Sequence, residues 1–555
     1  MMSHHDGPDT PDDFVLRGGT VVDGTGAAAR RADVEVRAGR IVGVGTVAAR
    51  TDVANVDVSD LVVAPGFIDI HTHYDAQVQW DPALDASARH GVTTIVMGNC
   101  GFTLAPTHPE DRSDIVHLLR VVEGMSADVL EAGIQWDFET FPQYIAVLQA
   151  LPLALNVAAM VGHDAVRRYA MGAAAQQRVA TSEETLAMGE LVSDAVHAGA
   201  IGFSTDRSSA HVDASGRSVP SMFADDDEVL ALCTAAAAAG AAIVELACGR
   251  DFGIDDHVEI AQQTGLGVTP TALLSGLYPP DEIETILETA NRAEGKVLPQ
   301  VSPRPRLHYL TLSSPVEWLR MSEAFGDALE LDRAGLDRLY RDDSWRQRAA
   351  ATLTPRGDKM LTTGVVAESA RHQDLIGIGI AEIARTRSVT PFDAMVDLAL
   401  QDLDCRFVYS MYNDDEEIVS SLLLDPRTIL GLSDAGAHSD RVYDANFPTY
   451  LLGHWVRELG SMPLEFAIWR LTGQVAAFMQ LPDRGRIASG CAADLVAFDP
   501  ERIGTLRETR VHDLPAGGDR LIAESEGIEH LWVNGAPIRR DGVPVPAASG
   551  VVIGT

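Results

Sequence analysis

The sequence predicts an α/β fold: a (β/α)8 TIM-type barrel, with a small β-sandwich domain formed from both termini and an insertion before the eighth strand. Three observations predict this fold. Short strand–turn–strand segments occur at both ends of the 555-residue chain. Apolar strands alternate with helical segments between those ends, and a gap of more than one hundred residues separates the seventh strand from the eighth.

The two ends of the chain share a β-hairpin pattern. Residues 14–26 and 32–45 are short apolar strands interrupted by Gly-containing turns, and residues 484–500 and 528–542 have the same pattern. Alternating apolar and polar residues around such turns are typical of hairpins. We therefore expect residues 1–64 and 481–555 to form one β-sandwich domain.

Between these ends, eight apolar segments are interleaved with helical ones such as residues 182–199 and 280–295. This alternation indicates parallel strands in a barrel over residues 65–480, with the chemistry at the carboxyl ends of the strands. The predicted strands are residues 67–73, 93–99, 153–162, 200–206, 241–247, 265–273, 296–303 and 428–434. The charged, helical segments at about 306–425 are interpreted as an insertion in the barrel.

Composition narrows the classes of function. The chain has 80 acidic and 43 basic residues, a formal charge of −37, which disfavours nucleic-acid and membrane partners. Its five cysteines form no CxxC pair, which favours a reducing compartment. The polar N-terminus predicts no signal peptide, and no apolar run reaches transmembrane length. We expect a cytoplasmic protein, and homo-oligomerisation stays open.

The strongest chemical signal is the pair His71 and His73 in the first predicted barrel strand. Residues two apart on a strand point to the same face, so both imidazoles face the barrel interior at its mouth. Two converging imidazoles provide half of a divalent metal site. Such a pair is often incidental on a strand, but here it follows Pro-Gly and an apolar strand, which favours metal binding.

Seven motifs follow one another along the chain: APGFIDIHTHYDAQ (64–77), GVTTIVMGNCGFTLAP (91–106), EGM (123–125), GHDAVRRYAMG (162–172), GAIGFSTD (199–206), GLSDAGAH (431–438) and RGRIASGCAADLVAFD (484–499). Through these motifs the chain resembles the amidohydrolase superfamily, and within it the N-acyl-D-amino-acid deacylase branch. The resemblance implies the barrel with its β-sandwich and metal-dependent hydrolysis of a linear amide.

Two further metal ligands are expected. The resemblance implies that Cys100, in the Gly-Asn-Cys-Gly motif after the second strand, binds zinc; an inert buried thiol is the alternative. Asp434 ends the eighth strand, where a carboxylate can touch the metal and also take a proton from metal-activated water. A plain turn residue is the alternative for Asp434.

One part of the family pattern is missing. The family takes one His from the end of strand five and another from strand six, but neither strand end contains His in this chain. Glu245 on strand five can replace an imidazole, whereas Thr271 on strand six is a poor substitute. We expect Zn²⁺, with a second ion and other divalent metals left open.

Four residues at the barrel mouth are candidates for binding substrate: His163, Arg250, Arg304 and His438. An Arg there can form a bidentate pair with a substrate carboxylate. Each of the four can instead be a rim residue, and His438 can steady the loop that follows Asp434.

These observations predict a hydrolase that cleaves the amide of a small N-acyl-amino-acid-like substrate. Because two His are missing, a different hydrolytic, lyase or cyclisation reaction on the same fold is one alternative. A catalytically silent relative that binds a small ligand is another.

Overall fold

The computed structural model describes residues 13–48, 51, 53–122, 124–209, 211–212, 216–249 and 252–554. The first twelve residues of the predicted β-sandwich, and Arg250, lie outside this range. The chain divides into two compact units. The first unit spans 1–304, 417–439 and 443–555, and the second spans 305–416 and 440–442.

The strands are numbered along the chain. They are β1 (Phe14–Val21), β2 (Arg30–Arg37), β3 (Arg40–Gly45), β4 (Ala54–Asp57), β5 (Val62–Pro65), β6 (Phe67–Thr72), β7 (Val92–Met97), β8 (Asn156–Gly162), β9 (Gly202–Asp206), β10 (Ile243–Ala247), β11 (Gly267–Thr271), β12 (Gln300–Val301), β13 (Arg306–Thr311), β14 (Val365–Glu368), β15 (Arg406–Tyr412), β16 (Ile429–Leu430), β17 (Leu495–Phe498), β18 (Gly504–Thr505), β19 (Thr509–Val511), β20 (Arg520–Ile522), β21 (Ser525–Glu526), β22 (Ile528–Val533), β23 (Ala536–Arg540), β24 (Val543–Pro544) and β25 (Val552–Ile553).

The α-helices are α1 (Asp85–Ala88), α2 (Arg112–Val122), α3 (Ala127–Gly133), α4 (Phe141–Ala150), α5 (His163–Met171), α6 (Ser182–His197), α7 (Asp226–Ala239), α8 (Ile254–Thr264), α9 (Pro280–Ala290), α10 (Arg333–Tyr340), α11 (Asp343–Ala351), α12 (Pro355–Thr363), α13 (Ile380–Arg387), α14 (Pro391–Gln401), α15 (Glu416–Leu424), α16 (Phe447–Tyr450), α17 (Leu464–Leu471) and α18 (Gly473–Phe478).

Strands from both ends of the chain join one sheet in the first unit. Its order is β24-β23-β22-β17-β5-β1-β2-β3, with β4 paired to β1. Apolar side chains on one face of these strands form a buried cluster, in which Phe14 stacks on Trp532 at 5.4 Å between ring centroids. Residues more than five hundred positions apart therefore share one hydrophobic core.

The same unit contains a parallel sheet in chain order, β6-β7-β8-β9-β10-β11. Its strands are buried and rich in β-branched residues, as expected where helices cover a parallel sheet. The predicted α/β class is confirmed, and these strands form a parallel half-barrel sheet. β12 and β16 form a further parallel pair, and the isolated parallel bridges Val268–Val297 and Thr72–Ala435 lie at the two ends of the series.

Helices α5 to α9 alternate with these strands, and their ends follow ordinary capping rules. Thr181 caps α6 by accepting from the Glu184 amide, and the Glu184 side chain accepts from the Thr181 amide in return. Gly240 caps the C-terminus of helix α7, with a φ of +100° that glycine readily adopts. These capping signals set where the helices begin and end. The helices carry the chain back along the sheet, so that successive strands run parallel.

The second unit has its own core. Helices α10 to α14 accompany an antiparallel sheet of order β13-β15-β14, and a cluster that includes Trp318, Phe325, Trp345 and Phe392 is buried between them. The sequence predicted helices here but not this sheet. Its strands pair across gaps of tens of residues, and that pairing leaves no local signal.

Among the described residues, no helix is both long enough and apolar enough to span a bilayer.

Candidate active site

The two histidines of the first barrel strand lie at its carboxyl end and are buried. His71 is on β6 and His73 follows it, with ring centroids 5.2 Å apart. The His73 amide donates to the Ala435 carbonyl at 2.7 Å, five residues beyond the end of β16. Strand pairing therefore fixes the backbone that carries both imidazoles.

Cys100 lies in the turn after β7, and its thiol points toward the His71 imidazole. Its Sγ is 3.5 Å from His71 Nε2. The donor atoms of His71, His73 and Cys100 all lie within 4.8 Å of one another, and all three residues are buried. Residues 29 positions apart in sequence thus form one donor group.

Asp434 adjoins this group. Its Oδ1 lies 3.3 Å from His71 Nε2 and 4.0 Å from His73 Nε2. The Asp434 amide donates to the His71 carbonyl at 3.1 Å, and its φ of +48° turns the chain sharply at the end of the barrel segment. The backbone hydrogen bond holds the carboxylate beside the imidazoles.

The donor set fits a divalent metal such as zinc. Zinc bonds of about 2.1 Å to nitrogen and 2.3 Å to sulfur, at tetrahedral angles, place the two donor atoms about 3.6 Å apart. The Cys100 Sγ to His71 Nε2 distance is 3.5 Å. Two imidazoles, a thiolate and a carboxylate are also the ligand types that zinc prefers.

Glu245 lies next to the donor group but is held by other partners. It is fully buried on β10, and its Oε2 accepts from the Cys100 amide at 2.6 Å. Its Oε1 accepts from the Thr271 hydroxyl at 3.0 Å and lies 4.0 Å from Cys100 Sγ. Burial raises the pKa of this carboxyl to about 8.

Gln300 is a site residue that sequence reasoning missed. Its Oε1 lies 2.9 Å from His71 Nδ1, so that nitrogen carries the proton and donates it. Nε2 then presents its lone pair toward Cys100 and Asp434. The available signal was a Gln inside the mostly apolar segment 296–303.

Comparisons with known proteins show which family the chain belongs to. The amidohydrolase family profile matches residues 54–293 and 420–539 of the chain. The chain belongs to the amidohydrolase family.

Relatives of this amidohydrolase cover nearly its whole length. D-Aminoacylase from Alcaligenes xylosoxydans xylosoxydans is 31% identical over 95% of this chain and 94% of its own length. N-Acyl-D-aspartate deacylase from the same organism is 28% identical over 95% of this chain and 92% of its own. Both relatives are named for hydrolysis of linear amides.

The chain is also similar to solved structures of a D-aminoacylase and an N-acyl-D-glutamate deacylase. A structure of D-aminoacylase with a binuclear metal centre has a TM-score of 0.67 and 28% identity, covering 98% of this chain and all of its own. N-Acyl-D-glutamate deacylase from Bordetella bronchiseptica, in complex with zinc and a phosphonate mimic of the tetrahedral intermediate, has a TM-score of 0.67 and 26% identity over the same shares.

Two predicted substrate residues of this amidohydrolase have other partners. His163 is fully buried, with Nδ1 2.7 Å from Thr205 Oγ1 and Nε2 3.0 Å from Glu228 Oε1. Both ring nitrogens therefore contact side chains of the protein. Burial also lowers the pKa of this imidazole. A substrate role for His163 gains no support from these contacts.

Arg304 is likewise enclosed by the protein. Its Nε lies 3.0 Å from Asp444 Oδ1 and its Nη2 lies 2.6 Å from Glu508 Oε1, with all three side chains largely buried. The guanidinium also lies over the Tyr450 ring, 5.8 Å from its centroid. These contacts indicate a structural ion pair.

His438 is half-buried in the loop after Asp434, with a φ of +49°. Its substrate role stays a prediction. Arg250 lies outside the described residues, so the structure says nothing of its placement.

The sequence did not indicate one polar pair near the metal group. His211 Nδ1 lies 2.5 Å from Oδ2 of the buried Asp206, which ends β9. The His211 ring also packs edge-on against Phe102, two residues beyond Cys100. A carboxylate therefore orients an imidazole beside the loop that carries the thiol.

Proposed function

We propose that this amidohydrolase removes the acyl group from a small N-acyl-D-amino acid. One observation carries the proposal: three buried metal-donor side chains converge beside a carboxylate at the carboxyl end of a parallel barrel sheet. The names of relatives that cover nearly the whole chain support the substrate class.

The site residues we assign to the metal are His71, His73, Cys100 and Asp434. A zinc ion bound there would lower the pKa of a water molecule and polarise the carbonyl oxygen of the amide. Gln300 holds His71 in the tautomer that leaves Nε2 available. This hydrogen bond orients the imidazole before any ion arrives.

Asp434 is the residue we assign to proton transfer. Its carboxylate lies beside both imidazoles and is partly accessible, with 15% of the side chain exposed. It can accept the proton of the attacking water and deliver it to the departing nitrogen. A carboxylate with this access is better suited to the task than the enclosed Glu245.

The alternatives are less well supported. The comparisons support neither a different reaction class nor a silent relative, since the relatives are named as deacylases. A site without function has no physical need for two imidazoles, a thiol and a carboxylate in contact.

We also propose the finer features of the fold. The bridges Val268–Val297 and Thr72–Ala435 support closure of β6 to β12 and β16 into a (β/α)8 barrel over residues 65–480. The shared terminal core supports a β-sandwich of residues 1–64 and 481–555. The separate core of the second unit supports an insertion at about 306–425.

Location and assembly are further proposals. The five cysteines, all within the described residues, form no disulfide bonds with one another, which supports a cytoplasmic location. A homo-oligomer also stays a prediction.

Acetate release from a panel of N-acetyl-D- and N-acetyl-L-amino acids tests the proposed function. We expect turnover of at least one D-configured substrate by the zinc-loaded protein. The double variant His71→Ala/His73→Ala should lose both the bound metal and the turnover. The proposal is rejected if the zinc-loaded protein hydrolyses none of these amides.

A further inference from the structure

Both oxygens of the Glu245 carboxyl group accept hydrogen bonds within the protein. One oxygen accepts from the Cys100 amide at 2.6 Å and the other accepts from the Thr271 hydroxyl at 3.0 Å. Glu245 is the middle residue of β10, and Thr271 is the last residue of β11. Neither strand contains a His, so these two strands present a hydrogen-bonded Glu–Thr pair beside Cys100.

The backbone conformation of Cys100 indicates the role of the Glu245–Thr271 pair. Cys100 has a φ of +54°, a left-handed conformation that costs roughly 1–2 kcal/mol for a residue with a Cβ. The buried Glu245 side chain accepts a hydrogen bond from the amide of Cys100, and this bond stabilises the strained turn. In this turn Sγ lies 3.5 Å from His71 Nε2.

The thiol is thereby directed to the histidines of the first strand. Among the described residues, the donor atoms that lie within 4.8 Å of one another belong to His71, His73 and Cys100, and Glu245 is not part of that group. The Asp434 carboxylate also contacts the group, with Oδ1 3.3 Å from His71 Nε2. Threonine is a poor zinc ligand, and the Thr271 hydroxyl already donates to Glu245.

We propose that this chain binds a single divalent ion through His71, His73, Cys100 and Asp434, and that Glu245 is a positioning residue for the Cys100 turn rather than a ligand of a second ion. The inference rests on the metal dependence in the proposed function. It departs from the binuclear centre named for the D-aminoacylase structure.

Metal stoichiometry tests the count directly. The purified full-length protein is stripped with chelator, dialysed against excess Zn²⁺ or Co²⁺, freed of unbound metal and analysed by plasma mass spectrometry. We expect one equivalent per chain. The Co²⁺ form should show a thiolate-to-metal absorption band that Cys100→Ser abolishes and the buried control Cys233→Ser retains. Two equivalents, or a band that survives Cys100→Ser, would overturn the proposal.

Two substitutions at Glu245 test its role. Glu245→Gln keeps an oxygen that can accept from the Cys100 amide, so we expect one equivalent with affinity within a few-fold of the parent. Glu245→Met removes the acceptor, and we expect about 10- to 100-fold weaker metal binding. Competition with a chromophoric chelator measures both affinities, and melting temperature confirms folding.

The outcomes separate the two proposals. If Glu245 ligates a second ion, the parent holds two equivalents and Glu245→Gln loses one, which overturns the inference even if amides are hydrolysed. If the parent holds one equivalent but hydrolyses no amide, the inference stands and the proposed function fails. Equal weakening of Glu245→Gln and Glu245→Met at unchanged melting temperature would also contradict a positioning role.

Discussion

His71 Nδ1 donates to Gln300 Oε1 at 2.9 Å, across 229 residues of sequence. This hydrogen bond selects the tautomer in which Nε2 carries the lone pair, the nitrogen that faces Cys100 and Asp434. A hydrogen-bond acceptor behind a metal-binding imidazole fixes the orientation of the ring, and its loss commonly weakens metal binding.

Removing that partner should weaken metal binding. Gln300→Met keeps the length of the side chain but has no strong acceptor, so we expect about 10- to 100-fold lower zinc affinity. Gln300→Glu keeps an acceptor oxygen and should bind zinc within a few-fold of the parent. Chelator competition measures both, and equal affinities for the Met variant and the parent would show that the hydrogen bond does not matter.

Asp434→Asn should separate chemistry from structure. Asparagine keeps the size of the side chain but cannot accept a proton from water, so kcat should fall by about 10²–10⁴-fold. We expect little change in melting temperature, because the backbone bond between Asp434 and His71 remains. If turnover stays within a few-fold, Asp434 is not the proton acceptor. A joint loss of turnover and folding would assign it a structural role.

Arg304 should contribute to stability. Arg304→Met leaves the buried carboxylates of Asp444 and Glu508 without their cation, and breaking such a pair costs about 3–5 kcal/mol. Urea unfolding measures this loss, and adding Asp444→Asn should restore part of it. An Arg304→Met variant that is fully stable but has a greatly raised KM would instead support a contact with substrate.

His257 gives a pH-dependent test of the fold. It is fully buried, neither ring nitrogen has a hydrogen-bond partner within the described structure, and burial lowers its pKa to about 3. Between pH 6.5 and 3 the unfolded chain binds a proton that the folded chain does not. This histidine therefore costs stability as the pH falls through that window.

His257→Leu should accordingly gain stability relative to the parent as the pH falls below about 6.5, by up to about 1.4 kcal/mol per pH unit. Urea unfolding at pH 8, 6 and 5 measures the difference between variant and parent. His197→Leu, at an exposed position on α6, is the matched control for the loss of a histidine. A difference that stays constant with pH would show that His257 is not held neutral.

Local sequence patterns predicted the parts of the fold that depend on local chemistry. The period of two placed His71 and His73 on one face of β6, and the apolar runs located the strands of the parallel sheet. β12 and β16 are only two residues long, although their predicted segments are longer. Gln300 and Ser433 in these segments contact His71, so tertiary contacts rather than the apolar pattern determine where the two strands end.

The remaining features depend on contacts distant in sequence. The partners of Glu245 are 145 and 26 residues away, and those of Arg304 are 140 and 204 residues away. The sequence indicated that Glu245 can take the place of an imidazole, but only the packed strands show that it accepts from the Cys100 amide. Arg304 at a barrel mouth gave no indication that two carboxylates enclose it.

The most direct measurement compares bound zinc with acetate release from an N-acetyl-D-amino acid in one preparation. Chelator-stripped protein is titrated with Zn²⁺, and the rate is plotted against zinc bound per chain. We predict no turnover without metal and a rise to a plateau at one equivalent. Full turnover in protein shown to be metal-free would contradict the assignment of His71, His73, Cys100 and Asp434 to a catalytic metal.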